Sequence, residues 1–175
     1  MKTTGVIRRI DDLGRIVIPK EIRKTLRIKD GESLEILLDN DNITLKKYSR
    51  LGDETSFYKD YVDSVQSIVG GNIMIADNDK LIAISGELKK EYTGATISNY
   101  ILDTIVKRED KISKNKNMLE LTSGSSINCT YAISPIIVNG DAMGAVIYVG
   151  KADRLDDYYE KIVKISAKFL SKYIE

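Results

Sequence analysis

The sequence predicts an α+β protein built in two parts, and three observations carry that reading. Short runs rich in Val and Ile recur along the chain, separated by Gly, Asn and Asp clusters that mark turns. Apolar stripes at helical spacing lie between them, near 57–69, 97–108 and 155–173. Charge divides the chain unevenly: residues 1–50 hold 12 basic and 8 acidic side chains, whereas residues 51–175 hold 15 and 18. The near-neutral total of +1 conceals a basic first part and a mildly acidic second, which points to different partners for the two.

The first part opens with two apolar runs, Val6 to Ile10 and Arg15 to Ile18, around Asp11-Asp12-Leu13-Gly14. Gly14 can take the positive φ that closes such a turn, so the spacing predicts a β-hairpin. Pro19 suits a helix start, where its missing N–H is no loss, and a short helix is expected over 19–26. On it Lys20, Arg23, Lys24 and Arg27 share one face at i, i+3, i+4, i+7, with Ile22 and Leu26 on the opposite side, built to be buried. A turn at 28–32 leads to a second hairpin, Leu34 to Leu38 and Ile43 to Lys47 around the polar turn Asp39 to Asn42. A module of about 50 residues made of short strands buries too little surface to be stable alone. Without a disulfide or metal it is expected to dimerise.

Charge gives this module a candidate role. Residues 1–29 carry nine Lys or Arg against Asp11, Asp12 and Glu21, a net +6. A face kept charged only for solubility interleaves acids with bases, and here Glu21 alone does so on the helix, while Arg8, Arg9 and Arg15 add the same sign on the hairpin. Such a cationic surface fits a polyanion. Arg predominates, and its planar fork suits phosphate and guanine edges, which favours nucleic acid. A membrane-surface helix would be longer and carry more large apolar residues.

The linker is placed at 51–54 by its lack of periodicity and its Gly52. A helix follows, carried by Phe57, Tyr61, Val65, Ile68 and Val69 and stopped by Gly70-Gly71. Ile73 to Ala76 and Leu81 to Ser85 read as strands around Asp77-Asn78-Asp79-Lys80, and a second helix over about 97–108. Asp110 to Asn117 is expected to be a polar loop, Met118 to Leu121 a short strand and Thr122 to Ser126 another loop. Cys129 to Val138 and Ala142 to Val149 form a strand pair around the strong turn signal Asn139-Gly140. A last helix carries Leu155, Tyr159, Ile162, Val163, Phe169, Leu170 and Tyr173. Helix, two strands, helix, three strands, helix is an α+β order with an antiparallel sheet.

Catalysis finds no candidate residues. The chain has no His, which removes His-dependent nucleophiles and imidazole metal sites. Its single Cys129 sits in an apolar context, reads as an inert buried thiol, and cannot form an internal disulfide. Asp77-Asn78-Asp79 and Asp39-Asn40-Asp41 lack the glycine and distal Glu of a calcium loop and read as hairpin turns. Gly70-Gly71 and Ser123-Gly124 lack the Lys and spacing of a phosphate loop. No apolar run reaches the length of a membrane span, and Met1 to Gly5 lacks the apolar stretch of a signal peptide. No cofactor, metal or membrane is therefore expected.

Residues 1–50 closely resemble the swapped-hairpin DNA-binding domain of AbrB-type transition-state regulators. The residues that carry the likeness are Thr4-Gly5, Arg8-Arg9-Ile10-Asp11-Asp12-Leu13-Gly14-Arg15-Ile16-Val17-Ile18-Pro19 and Glu21-Ile22-Arg23-Lys24-Thr25-Leu26. The resemblance implies that two protomers interleave their hairpins into one β-barrel-like dimer that binds double-stranded DNA. Contacts would fall on Arg8, Arg15, Arg23 and Lys24, with Lys2 and Arg9 as phosphate partners. The family commonly has Arg at position 24. Lys24 keeps a point charge but not the bidentate fork.

Residues 55–175 resemble a GAF domain through their element order and the Ser134-Pro135-Ile136, Asn139-Gly140 and Gly144-Ala145-Val146-Ile147 hairpin. That likeness implies a sensory or oligomerisation domain, an unidentified small-molecule ligand, and a tetramer made as a dimer of dimers. Tyr61, Tyr159 and Tyr173 on the first and last helices are the candidates for contacts between protomers, or else belong to the domain core. Over its whole length the chain is similar to a sporulation regulator, which implies a cytoplasmic, nucleoid-associated activator and repressor of forespore-type genes. Two other readings stand beside it. A related hairpin fold serves antitoxins, which usually end in a flexible tail. The second is a small-molecule receptor with incidental DNA affinity.

Overall fold

In the computed structural model, residues 5–28, 30, 31, 33–48, 51 and 55–175 are described. The chain divides into two compact units, Met1–Tyr48 and Ser49–Glu175.

In the first unit the Asp11–Gly14 turn is present. Gly14 has φ +75°, its N–H donates to the Asp11 carbonyl at 2.9 Å, and the Asp11 N–H donates to the Arg15 carbonyl at 3.0 Å. The flanking segments, expected as strands, form no ladder among the described residues. Helix α1, Lys20–Thr25, follows Pro19 at its N-cap. It ends in a Schellman turn: Arg27 takes φ +53°, its N–H donates to the Lys24 carbonyl, and the Ile28 N–H donates to the Arg23 carbonyl at 2.7 Å. Arg27 thus lies beyond the helix and not on the Lys20, Arg23, Lys24 stripe. The second hairpin forms as expected, β1 (Leu34–Asp39) against β2 (Asn42–Lys47), with Leu34 opposite Lys47 and Asp39 opposite Asn42.

No described residue of this unit is buried. Val6, Ile7, Ile10, Leu13, Ile16 and Val17 around the turn, Leu26 after α1, and Ile36, Leu38 and Ile43 on the second hairpin are all exposed. Leu26, expected on a buried face, is half open at 52 %. The physical reason is that an apolar surface of this extent finds no cover within one copy of so short a module.

The second unit is a five-stranded antiparallel sheet of order β4-β3-β7-β6-β5, made of β3 (Asn72–Asp77), β4 (Leu81–Ser85), β5 (Lys111–Thr122), β6 (Ser125–Val138) and β7 (Asp141–Gly150). Central strands β3 and β7 are apolar on both sides because both faces of the sheet are covered. Ile73, Ile75, Val146 and Tyr148 join Tyr58 and Val62 of α2 (Thr55–Val69) and Val163 and Leu170 of α5 (Asp157–Ile174) in one core. Met74, Ala76, Ala145, Ile147 and Val149 join Ile101 and Ile105 of α4 (Asn99–Lys107) and Tyr92 of α3 (Lys89–Tyr92) in the other. Ser98 caps α4 by accepting the Ile101 N–H, and Asp156 caps α5 by accepting the Tyr158 N–H. At the β6–β7 turn Asn139 and Gly140 have φ +51° and +87°, as a two-residue hairpin turn requires.

The expected loop at 110–117 is instead the first half of edge strand β5. Its polar character reflects exposure on the edge, and the β5–β6 register breaks between Ser113 and Asn117. The residues in the break turn toward the approach to α5: the Leu155 N–H donates to the Lys114 carbonyl at 2.6 Å, Lys114 pairs with Asp157 and Lys116 with Asp153. Pro135 sits inside β6 without harm, because β5 pairing stops at Ile133 and leaves that stretch bonded only to β7.

Candidate nucleic-acid interface

The expected contact residues lie on two elements of the first unit. Arg8 and Arg9 precede the turn and Arg15 follows it, all exposed, while Arg23 and Lys24 lie on α1. Lys2 lies outside the described residues.

Asp11 organises the turn end. Its Oδ1 accepts the Leu13 N–H at 3.1 Å and the Arg15 N–H at 2.8 Å, and its Oδ2 accepts Nε of Arg15 at 2.8 Å. These bonds, the Arg15 backbone first and its guanidinium next, hold the Asp11 carboxyl below its ordinary value, so it stays ionised. Arg15 remains largely exposed, at 71 %. Of five guanidinium N–H groups one is held by Asp11.

Arg23 is placed differently. It is half-buried, its Nη1 donates to Asp30 Oδ1 at 2.6 Å, and its Nε is shielded with no hydrogen-bond partner among the described residues. Lys24, its neighbour, is exposed. Lys47 reaches back from β2 to donate to the Arg27 carbonyl at 3.0 Å, tying the second hairpin to the end of α1. Sequence reasoning placed Asp11 and Asp30 in turns and counted their charge, but gave neither as the partner of an arginine. An Asp opening an Asp-x-x-Gly turn is a known acceptor for N–H groups two to four residues on, and that signal could have found Asp11. Nothing local foretold Asp30.

In the second unit α2 and α5 meet through rings: Phe57 stacks on Tyr173 and Tyr61 on Phe169, while Tyr159 stacks on Tyr148 of β7. The three tyrosines named as contacts between protomers therefore have partners within the chain. On the other face, the Tyr100 and Tyr131 hydroxyls meet at 2.9 Å and those of Tyr92 and Ser125 at 2.8 Å. An open cleft of about 280 Å³ is lined by Gln66, Gly71, Asn72, Glu87, Tyr148 and Lys151, of which Lys151 and Glu87 form an ion pair.

A small, cationic module with an uncovered apolar surface, joined to an α+β domain whose antiparallel sheet is covered on both faces, fits a transcription regulator. Residues 54–175 match the family described as stage V sporulation protein T C-terminal, transcription factor, and residues 7–53 match that of antidote-toxin recognition MazE, bacterial antitoxin. The chain is 40 % identical over 177 residues to stage V sporulation protein T of Bacillus subtilis (strain 168), covering 100 % of this chain and 99 % of that one. It is 54 % identical over 48 residues to transition state regulatory protein AbrB of the same organism, covering 27 % of this chain and 50 % of AbrB. Among solved structures it is similar to the second GAF domain of DevS from Mycobacterium smegmatis, with TM-score 0.56, 11 % identity and coverage of 70 % of this chain and 93 % of that one. It is also similar to the cofactor binding GAF domain of the nutrient sensor CodY from Clostridium difficile, with TM-score 0.52, 16 % identity and coverage of 89 % and 94 %.

The chain belongs to the stage V sporulation protein T family. It is a sporulation transcription regulator with an AbrB-like N-terminal domain and a GAF-like C-terminal domain, in a family of transcription factors and not of enzymes.

Proposed function

We propose that the protein works as a homodimer whose N-terminal domains, residues 1–50, interleave and present one two-fold basic face to double-stranded DNA. Arg8, Arg15, Arg23 and Lys24 contact the duplex, with Lys2 and Arg9 on phosphates. One observation carries this reading: none of the first unit's described residues is buried, while its Arg and Lys side chains cluster around the same turn and helix. A partner hairpin would cover Val6, Ile7, Ile10, Ile16 and Val17 and supply the missing ladder, since an uncovered apolar patch with unpaired backbone is costly in water. This head is joined to the GAF-like domain, whose core already includes Leu51 of the expected 51–54 linker; that domain assembles dimers into a tetramer and offers a site for a small ligand. Ile68 of α2 and Ile165 of α5, at 81 % and 64 % exposure, are the most exposed large apolar residues of those two helices and are available for that assembly. The protein acts in the cytoplasm on the nucleoid and performs no catalysis of its own.

An antitoxin would carry a flexible tail, and residues 55–175 instead fold around two cores. The test is duplex binding combined with mass in solution. Arg15→Ala is expected to weaken binding about tenfold or more at constant oligomer mass, given the worth of a bidentate arginine contact. Ile165→Lys is expected to halve the mass of a tetramer and leave each dimer's DNA affinity intact. Undiminished affinity in Arg8→Ala, Arg15→Ala and Arg23→Ala alike contradicts the proposed face.

A further inference from the structure

We infer that Asp11 is a specificity-determining residue: it does not touch DNA but fixes the Arg15 guanidinium so that its outer fork reads one base edge. The inference rests on the DNA-binding reading of the basic face.

The geometry around the turn separates two tasks within one carboxylate. Oδ1 takes the Leu13 and Arg15 backbone N–H groups, which shapes the turn, and Oδ2 takes Nε of Arg15, which aims the side chain. The Asp11 N–H and the Arg15 carbonyl close the same loop at 3.0 Å. Donor and acceptor are therefore fixed to each other at backbone and side chain alike. An exposed Arg normally wanders among many rotamers, and ordering it on binding costs free energy. With Nε occupied by Asp11, the two terminal nitrogens are left as a fork that fits the paired acceptors of a guanine edge or a phosphate.

An acid next to a DNA-contacting base is otherwise unfavourable, because it lowers the positive potential that draws the duplex. Its presence at 2.8 Å from the most exposed paired arginine of the face trades general affinity for orientation. Arg23 shows the contrast. Asp30 holds it by Nη1, one end of the fork itself, so that pair engages the fork it would orient.

The experiment compares full-length protein with Asp11→Asn and Asp11→Ala on two duplexes: one selected from a random pool by the unaltered protein, and a scrambled one of equal length. Asn keeps an oxygen for the turn's backbone N–H groups but replaces Oδ2 by an amide NH2, which cannot accept from Nε. Asp11→Asn is expected to retain thermal stability, to bind the scrambled duplex equally or more tightly, and to lose about tenfold in the ratio of selected to scrambled affinity. Asp11→Ala is expected to lose at least as much in that ratio, with a lowered melting temperature. Arg15→Ala in the Asp11→Asn background should add little further loss in the ratio. An unchanged ratio in Asp11→Asn overturns the inference, and so does an equal gain on both duplexes, which would mark Asp11 as a repelling charge only. If selection with the unaltered protein recovers no bound duplex, the DNA-binding face itself fails and this inference falls with it.

Discussion

The rings of Phe57, in the first turn of α2, and Tyr173, in the last turn of α5, stack with centroids 4.0 Å apart and planes 12° from parallel. Tyr61 and Phe169 stack one turn further in at 5.4 Å. These pairs clamp the helix that opens the second unit to the one that closes it. Sequence spacing placed Tyr61 and Tyr173 correctly on helical stripes, but could not decide whether their partner lay in the same chain. Tyr173→Ala should therefore lower the stability of the C-terminal unit by about 1–2 kcal/mol, the worth of a partly exposed aromatic pair and its contact area. Urea unfolding followed by circular dichroism reads it.

Gly144 of β7 has no room for a side chain. A methyl group there would lie 2.0 Å from the Ala76 carbonyl oxygen and 2.7 Å from the Leu51 side chain, and the carbonyl belongs to central strand β3. Gly144→Ala should destabilise the sheet by about 3 kcal/mol, as overpacking against backbone does. A melting temperature within about 2 °C of the parent would contradict that packing; for a domain of this size 1 kcal/mol is worth several degrees.

Asp30 competes with DNA for Arg23. Their contact is short at 2.6 Å, but the Asp30 side chain is almost fully exposed, so the pair contributes little to stability. Asp30→Asn is expected to raise duplex affinity a few-fold at low salt, with the melting temperature unchanged within about 1 °C. Reduced affinity would mean that Asp30 aims Arg23 and does not mask it.

Cys129 is buried in the α4-side core, and burial pushes its thiol up to about 11. The folded protein should resist a thiol reagent at pH 8 and react at once in denaturant. The unfolded thiol ionises nearer its ordinary value, so above that value the unfolded state sheds a proton that the folded state keeps. Stability from this group is complete below the unfolded pKa and is lost as pH rises toward 11. Cys129→Ser should flatten that alkaline decline, measured as denaturation midpoint against pH.

What the sequence disclosed follows from which forces act locally. Asn139-Gly140 and Asp11 to Gly14 are turns whose backbone demands are written in their own residues, and both formed. Helices α2, α4 and α5 bury one face and so show their period. The first half of β5 was missed because Lys111 to Asn117 lies on a solvated edge and breaks register to meet Asp153 and Asp157, so its pattern answers to distant residues. The first hairpin's strands were legible as β-branched runs, yet they form no ladder among the described residues; in the proposed dimer a partner hairpin supplies it. Among site residues, the sign and spacing of Arg8, Arg9, Arg15, Arg23 and Lys24 could be read. The different hold on Arg15 by Asp11 and on Arg23 by Asp30 could not, because it depends on where a turn and a helix end bring two carboxylates.

The most direct test of the central claim is a salt titration of duplex binding by the full-length protein. If about four basic groups per protomer of a dimer neutralise phosphates, roughly eight counterions are released and the log–log slope is about −7. Arg15→Ala should make that slope shallower by about two, one contact from each protomer. A slope near zero, or one that Arg8→Ala, Arg15→Ala and Arg23→Ala all leave unchanged, would contradict a two-fold basic face on the N-terminal domain.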